Sequence, residues 1–250
     1  MASSSRAATL AILSVVLGTA FLLIGRSRRA RAESNHRIAV PFTLQTETFS
    51  FPNGAQGDLM SKDLTARRSD GTTVVVSTLL PRKPHPRMLR DIRYPDGRVV
   101  RLVDPVAAKT EFVRQEEAAR RNQLLLSPPP GCVLVGWEKP SGTDTVLGHT
   151  VDVVTSFGHM VWRARDLGCE TVQSREGYKH GDGFLLEGET TAVSLKLGEP
   201  DPRLFDEGVN YAEVKPSELL RRQMAHVGVT WNDDLEREAV HLDQFYSPKP

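Results

Sequence analysis

The sequence predicts a β-rich α+β protein, in which a curved antiparallel sheet or half barrel with a few helices follows one N-terminal transmembrane helix. Three observations favour this class: tight-turn dipeptides recur, segments rich in β-branched residues separate them, and only three short stretches have helical composition. Asx-Gly pairs supply the positive φ angles of two-residue hairpins, which join neighbouring antiparallel strands. These pairs are Asn53-Gly54, Asp70-Gly71, Asp96-Gly97 and Asp182-Gly183.

Residues 1–32 have the pattern of a membrane anchor or a signal segment. The stretch from Ala7 to Gly25 carries no charge, and four arginines follow it between positions 26 and 31. At about 1.5 Å per residue, a helix of this length just crosses a hydrocarbon core of roughly 30 Å. The alternative is a signal peptide cleaved before Glu33, since Ala30-Arg31-Ala32 has the required small-residue spacing. The long apolar stretch and the arginines after it favour an uncleaved anchor.

Two features of the sequence predict opposite orientations of the body relative to the membrane. The four arginines after the apolar stretch favour a cytoplasmic body by the positive-inside rule. Cys132 and Cys169 are the only two cysteines, and an even count in an exported protein suggests one disulfide. The alternative for this pair is two buried free thiols.

Residues 33–215 are predicted to form the antiparallel body. Its first half contains β-branched and alternating segments and then an Ala-, Glu- and Leu-rich helix, Glu116–Leu126, which ends at a run of prolines. Because Arg90 and Arg101 stand among apolar side chains, we expect one face of this sheet to be wet. The predicted strands are Phe42–Phe51, Thr72–Leu80, Met88–Tyr94, Arg98–Val103 and Thr110–Val113.

A second β region follows the prolines. Asp201 is expected to cap a helical turn that begins at Pro202, and Leu204 and Phe205 then point back to the core. Residues 216–250 form a helical tail, with helices Ser217–His226 and Asp233–Leu242, the second capped by Asn232 or Asp233. The predicted strands are Cys132–Trp137, Thr145–Ser156, Met160–Arg165, Cys169–Arg175 and Gly183–Leu197.

The sequence carries no motif for a known catalytic, metal or cofactor site. The seven histidines form neither H-x-H nor H-E-x-x-H, and no nucleophile elbow, dinucleotide fingerprint or P-loop occurs. We therefore predict no catalytic residue, no metal ligand and no cofactor. The basic run from Arg82 to Arg101 includes only one aromatic residue, so we interpret it as a solvated hairpin face and expect no nucleic-acid partner. Because a catalytic pair of carboxylates has no sequence motif, a hydrolase that uses Glu170, Glu187 or Glu189 stays an alternative.

Aromatic side chains of the second β region are the candidate binding residues. They are predicted to line an apolar cavity between the curved sheet and its helices, and the alternative is an ordinary core. Phe157, Phe205 and Tyr211 belong to the same group of aromatics. The candidates for the ligand cavity are Trp137, Trp162, Tyr178 and Phe184.

Two segments carry a resemblance to a known group. Val161 to Glu170 (VWRARDLGCE) and Gly198 to Phe205 (GEPDPRLF) resemble the final third of a group of uncharacterised exported bacterial proteins. In that group an E-P-D-P-x-L-F segment precedes a short terminal strand, which would be Val209 to Val214 here. More distantly, the plan from Arg68 to Lys215 is similar to Lol-type lipoprotein carriers, whose half barrel encloses a lipid-binding cavity.

This resemblance implies an exported protein, and it decides our expectation of an extracytoplasmic, periplasmic body held at the cell membrane. The function that follows is binding: a membrane-tethered envelope protein that offers an apolar concavity or a sheet surface to a lipid, peptide or protein partner. The alternatives are a hydrolase-type enzyme with dispersed carboxylates or histidines, and a purely structural envelope component.

Overall fold

The computed structural model describes residues 39–52, 57–80, 87–180 and 183–246. The predicted anchor and cleavage site, residues 1–32, lie outside the described residues, and so does the Asn53-Gly54 pair. Within the described ranges, none of the helices has the length and apolar character needed to cross a membrane.

A single curved, open sheet dominates this part of the chain and confirms the predicted β-rich α+β class. Antiparallel pairing joins every pair of neighbours except β6 and β12, which are parallel. The twelve described strands are β1 (Phe42–Ser50), β2 (Asp58–Arg67), β3 (Thr73–Leu79), β4 (Arg87–Arg93), β5 (Arg98–Val103), β6 (Ala108–Val113), β7 (Lys139–Val146), β8 (His149–Ser156), β9 (His159–Ala164), β10 (Glu170–His180), β11 (Gly183–Leu197) and β12 (Ala212–Glu213).

The sheet consists of two meanders that meet at β1. The first runs from β1 to β6, and the second runs from β7 to β11. They are joined because β1 pairs with β2 on one side and with β11 on the other. This leaves β12 and β7 at the two edges of the sheet.

The strand β2 was missing from the sequence prediction. Its segment DLMSKDLTAR contains one β-branched residue, Thr65, so its intrinsic preference for a strand is low. Pairing on both sides overrides that preference, since β1 and β3 flank it.

Two predicted strands of the second region were wrong. The segment Cys132–Trp137 is irregular and follows a 3-10 turn at Pro130–Cys132. The predicted strand Thr145–Ser156 is divided between β7 and β8 by a turn at Leu147-Gly148. Its first turn residue is a leucine, which has no preference for positive φ, so the turn gave no signal in the sequence.

Three α-helices are described, and each lies where the sequence predicts one: α1 (Gln115–Leu126), α2 (Pro216–His226) and α3 (Asp233–Tyr246). The last is four residues longer than predicted. Its cap is Asn232, whose side-chain oxygen accepts a hydrogen bond from the Leu235 amide at 2.9 Å. The turn Pro202–Phe205 is also confirmed, because Asp201 accepts from the Arg203 amide at 2.9 Å.

The strands β3 to β6 of the first meander, which include Arg90 and Arg101, are covered on both faces, so the wet face expected there was wrong. On one face, Leu204 and Phe205 pack on a cluster that includes Val74 and Ile92. On the other, Leu219 of α2 packs on Val103 and Ala108. The charges on that second face are paired across strands: Arg101 donates two hydrogen bonds of 2.8 Å to the buried carboxylate of Asp91 in the neighbouring strand.

The two ends of the second meander differ, and we call them the closed end and the open end. The closed end, where β9 stops and β10 begins, contains the predicted disulfide between Cys132 and Cys169. There the buried Arg67 donates to the Leu167 carbonyl at 2.8 Å and to Glu170 at 2.7 Å. Burial lowers the pKa of the Arg67 guanidinium, and the charge of Glu170 opposes that shift. The open end is the opposite end, at the turn between β8 and β9.

Candidate functional site

A surface groove of about 720 Å³ lies at the open end, and we call it the open groove. Its floor is a row of four residues set side by side by the strand register. Lys139 of β7 pairs with Thr155 of β8, Thr155 with Met160 of β9, and Met160 with Arg175 of β10. Three strand spacings of about 4.8 Å separate the first residue of this row from the last, so the floor is roughly 14 Å across.

The groove presents apolar side chains to solvent. Phe157 is 87% exposed and Trp137 is 60% exposed, and both line the groove together with Met160. Its volume lies within the range of about 300 to 1,000 Å³ that is typical of small-molecule sites. Exposed aromatics gathered around a concave surface are typical of a binding site for an apolar group.

Phe157 is held in place by an unusual turn. It is the first of the two residues between β8 and β9, and its φ is +41°, a region that bulky side chains rarely adopt. Gly158 follows with φ +86°, and a Cβ atom there would lie 2.3 Å from the carbonyl oxygen of Gly177. The Gly177 amide also donates to the Gly158 carbonyl at 3.1 Å. The turn is therefore fixed against β10, and it fixes the base of the Phe157 side chain.

The ionisable groups of the described lining are all basic: Lys139, His159 and Arg175. Two of them have carboxylate neighbours that are not part of the lining. Arg175 donates to Glu189 at 2.7 Å, and His159 Nδ1 lies 3.7 Å from Glu176. Thr155 and Ser156 add hydroxyl groups to the lining. The groove thus combines an apolar surface with a basic rim.

Trp162 lies two residues beyond Met160 on β9, on the same face of the sheet, and joins the floor to the core. It is only 5% exposed and belongs to the cluster that contains Phe42 and Leu44. The guanidinium carbon of Arg175 lies 5.5 Å from the centroid of its ring. Its indole N–H donates to Asp144 at 2.9 Å, which lowers the pKa of that carboxyl.

The wall that carries Trp137 is fixed by a buried ion pair. Arg163 donates to both oxygens of Glu138 at 2.7 and 2.8 Å, and also to the carbonyl of Cys132 at 2.7 Å. The hydrogen bond from Arg163 lowers the pKa of Glu138 to about 2, and an amide hydrogen bond from Leu134 contributes in the same direction. The segment from Cys132 to Glu138, which contains Trp137, is therefore held at one end by the disulfide and at the other by this ion pair.

The predicted cavity residues have separate places in the structure. Trp137 lines the open groove, and Trp162 is buried next to the groove floor. Tyr178 lies further along β10 and is 47% exposed. Phe184 belongs to β11, and its side chain lies outside the described part of the chain.

The place named by the sequence prediction, between the sheet and its helices, contains a smaller cavity of about 210 Å³. Leu89, Phe112 and Leu219 line it, and so does the charged Arg101. Sequence reasoning missed the basic rim of the open groove and its Met160 floor. The only available signal was the Phe-Gly dipeptide between two β-branched segments, and that dipeptide becomes informative only when the strand register is known.

The carboxylates considered for a hydrolase have different surroundings in the structure. Glu170 pairs with Arg67, Glu189 pairs with Arg175, and Glu187 is exposed. In the described ranges, three or more His, Cys, Asp or Glu side chains nowhere gather in an arrangement that could hold a metal ion.

No protein-family model matches the sequence, and no curated protein matches it. Several solved structures are similar at low identity. PNGF-II has a TM-score of 0.43 and 16% identity, with 75% of this chain and 33% of that chain covered. MucB has a TM-score of 0.39 and 15% identity, with 74% of this chain and 62% of that chain covered. A LolA superfamily protein from Nitrosomonas europaea has a TM-score of 0.28 and 9% identity, with 71% of this chain and 96% of that chain covered.

This chain therefore spans about a third of the length of PNGF-II. A LolA superfamily protein is thus among the similar structures. The resemblance to the exported group with the E-P-D-P-x-L-F segment stays a prediction. At these TM-scores the likeness assigns neither a ligand nor an activity to the chain.

Proposed function

We propose that this chain is an envelope protein that binds the acyl chain of a lipid in the open groove. In this proposal residues 1–32 tether the protein to a membrane, residues 33–215 form the extracytoplasmic binding body, and residues 216–250 form a helical tail. The observation that carries the proposal is Phe157, an aromatic side chain that is exposed beside an apolar groove.

Phe157 supports binding because its position is unfavourable for the free protein. A non-glycine residue in the left-handed region costs roughly 1 to 2 kcal/mol, and exposing an aromatic ring forgoes the stabilisation of burial. The turn itself does not require the Phe157 side chain, because the residue that holds the turn against β10 is Gly158. Insertion of an acyl chain would bury Phe157, Trp137 and Met160 together.

The proposal favours binding over hydrolysis because the buried carboxylates serve as partners of arginines. Asp91, Glu138 and Asp152 each accept a hydrogen bond from an arginine side chain. For Glu138 the hydrogen bond from Arg163 holds the pKa well below its ordinary value, so this carboxyl is not available as a general acid.

The test is photo-crosslinking of the full chain in membranes with a diazirine-labelled fatty acid. We expect adducts on two stretches: the one that contains Trp137, and the β8–β9 hairpin with Phe157 and Met160. Adducts on Ala7–Gly25 would report the predicted anchor and would show that the probe reached the protein. Labelling of that segment without labelling of the groove would contradict the proposal.

A chain-length series sharpens the same test. Each buried methylene contributes about 0.8 kcal/mol, so each added carbon should lower the half-competing concentration by about fourfold until the chain outgrows the groove. Peptides that contain Trp231 provide an internal control, because this tryptophan lies before α3 and outside the groove. Their labelling should not change with chain length.

A further inference from the structure

The charges around the open groove indicate which end of a lipid the groove recognises. The described lining contains Lys139, His159 and Arg175 and no carboxylate. A cluster of one sign beside an apolar wall favours a ligand that has an apolar part and a charge of the opposite sign. This argument rests on the proposed function, because it concerns the ligand of the same groove.

The three basic groups differ in how far they are engaged. The Arg175 guanidinium donates to Glu189 and lies against the Trp162 ring, and His159 has Glu176 as its neighbour. By contrast, no ion pair within the described residues includes the ammonium group of Lys139. Lys139 is also the residue at one end of the floor row, beside Trp137.

We infer that the open groove selects a single-chain amphiphile with an anionic head, whose chain lies over Met160 and Phe157 and whose head contacts Lys139. The head is a carboxylate or a phosphate monoester, since either presents oxygen acceptors to an ammonium donor. The lining also includes Thr155 and Ser156, whose hydroxyl groups add hydrogen-bonding capacity close to Lys139.

The test is competition against the photoreactive fatty acid, with the full chain in membranes. The competitors are a long-chain carboxylate, a monoalkyl phosphate and the alcohol of the same chain length, with acetate and inorganic phosphate as heads without a chain. We expect both anionic amphiphiles to compete at about fivefold lower concentration than the alcohol, which is the size of a partly exposed ion pair. Acetate and inorganic phosphate should not compete.

Lys139→Met should abolish this preference while groove labelling persists, because the methionine keeps an apolar side chain of similar length. The matched control is Lys62→Met: Lys62 lies on β2, pairs with Glu47 and is outside the groove, so the preference should persist there. Equal competition by alcohol and carboxylate in the wild-type protein would overturn the inference and leave the acyl-binding function standing. A preference that survives in Lys139→Met would overturn the role of Lys139, and absence of any groove labelling would overturn both proposals.

Discussion

The two tight turns that flank β8 have similar backbones and different surroundings. Leu147-Gly148 precedes the strand and Phe157-Gly158 follows it, and all four residues have positive φ. A Cβ on Gly148 would meet nothing within 4 Å, whereas one on Gly158 would collide with the Gly177 carbonyl. Leu147 is 47% exposed, and Phe157 is 87% exposed.

The difference shows that the contacts that stabilise the second meander and the aromatic side chain that it exposes to solvent lie at opposite ends of it. The closed end, which includes the Leu147 turn, has the disulfide and the Arg67–Glu170 pair. The open end fixes its turn by backbone contact and leaves the aromatic ring outside. Substitutions of the disulfide and ion-pair residues at the closed end should therefore change mainly the stability, and substitutions of Phe157 should change mainly the binding of the ligand.

The largest effect is expected from removing the disulfide. In the chain-entropy model, the Cys132–Cys169 bond closes a loop of 37 residues and stabilises the fold by roughly 3.5 to 4 kcal/mol. Replacing both cysteines with serine should lower the free energy of unfolding by about that amount, measured by urea denaturation under non-reducing conditions. An unchanged urea midpoint would contradict the prediction, and wild-type protein measured with a reductant is the control.

Glu138→Gln should have the next largest effect. It leaves the Arg163 guanidinium buried without a charged partner, which costs about 3 kcal/mol at neutral pH. The pKa of Glu138 is depressed to about 2 in the folded protein, so its stabilising contribution is fully present above about pH 4.5. That contribution is lost as the pH falls from about 4.5 through about 2.

The measurement for Glu138 is urea denaturation at a series of pH values. The difference in unfolding free energy between wild type and Glu138→Gln should be constant from pH 5 to 7 and should shrink below about pH 4.5. Glu187→Gln is the matched control, because Glu187 is exposed. A difference that grows in acid would show that the sign of the shift is wrong.

Alanine at the two turn glycines compares the ends of β8 directly. Gly148→Ala should cost about 1 kcal/mol, because only the positive φ opposes it. Gly158→Ala should cost roughly 2 to 3 kcal/mol, since the new Cβ also displaces the turn from Gly177. Thermal or urea denaturation measures both, and equal costs would show that the Gly177 contact does not hold the turn.

The smallest change in stability should come with the largest change in binding. Asparagine tolerates the left-handed region, and Asn-Gly is a preferred two-residue hairpin turn. Leu147→Asn and Phe157→Asn should therefore each raise the free energy of unfolding by about 1 kcal/mol. Only Phe157→Asn should lose groove labelling by the photoreactive fatty acid, and equal labelling in both variants would remove Phe157 from the site.

The sequence predicts the fold where local chemistry and tertiary pairing agree. The capped turn at Asp201 and helix α3 have side-chain caps that act within a few residues, so they are visible without coordinates. The strand β2 was missed because its residues prefer no strand and its pairing partners decide its structure. Arg101 was misplaced on a wet face because its partner Asp91 is on the neighbouring strand.

The open groove was harder to predict for the same reason. Its floor row joins Lys139, Thr155, Met160 and Arg175, which are spread over 37 positions of the chain and are aligned only by strand register. Two bulges shift that register, one in β7 after Pro140 and one in β10 after Thr171. Side chains alternate between the two faces of a strand, and each bulge shifts this alternation by one residue. The residues that share a face therefore cannot be identified from the sequence by counting every second position.

The position of β1 between the two meanders has a consequence for biosynthesis. This strand is made first, yet its second neighbour, β11, is among the last strands to leave the ribosome. At their seam the hydroxyls of Thr48 and Thr190 lie 3.0 Å apart across 142 residues of chain. Contacts at such separation form slowly, so a nascent chain holds β1 with one unpaired edge for most of its synthesis. An interrupted chain that lacks β11 therefore exposes this edge to other chains and is prone to aggregate there.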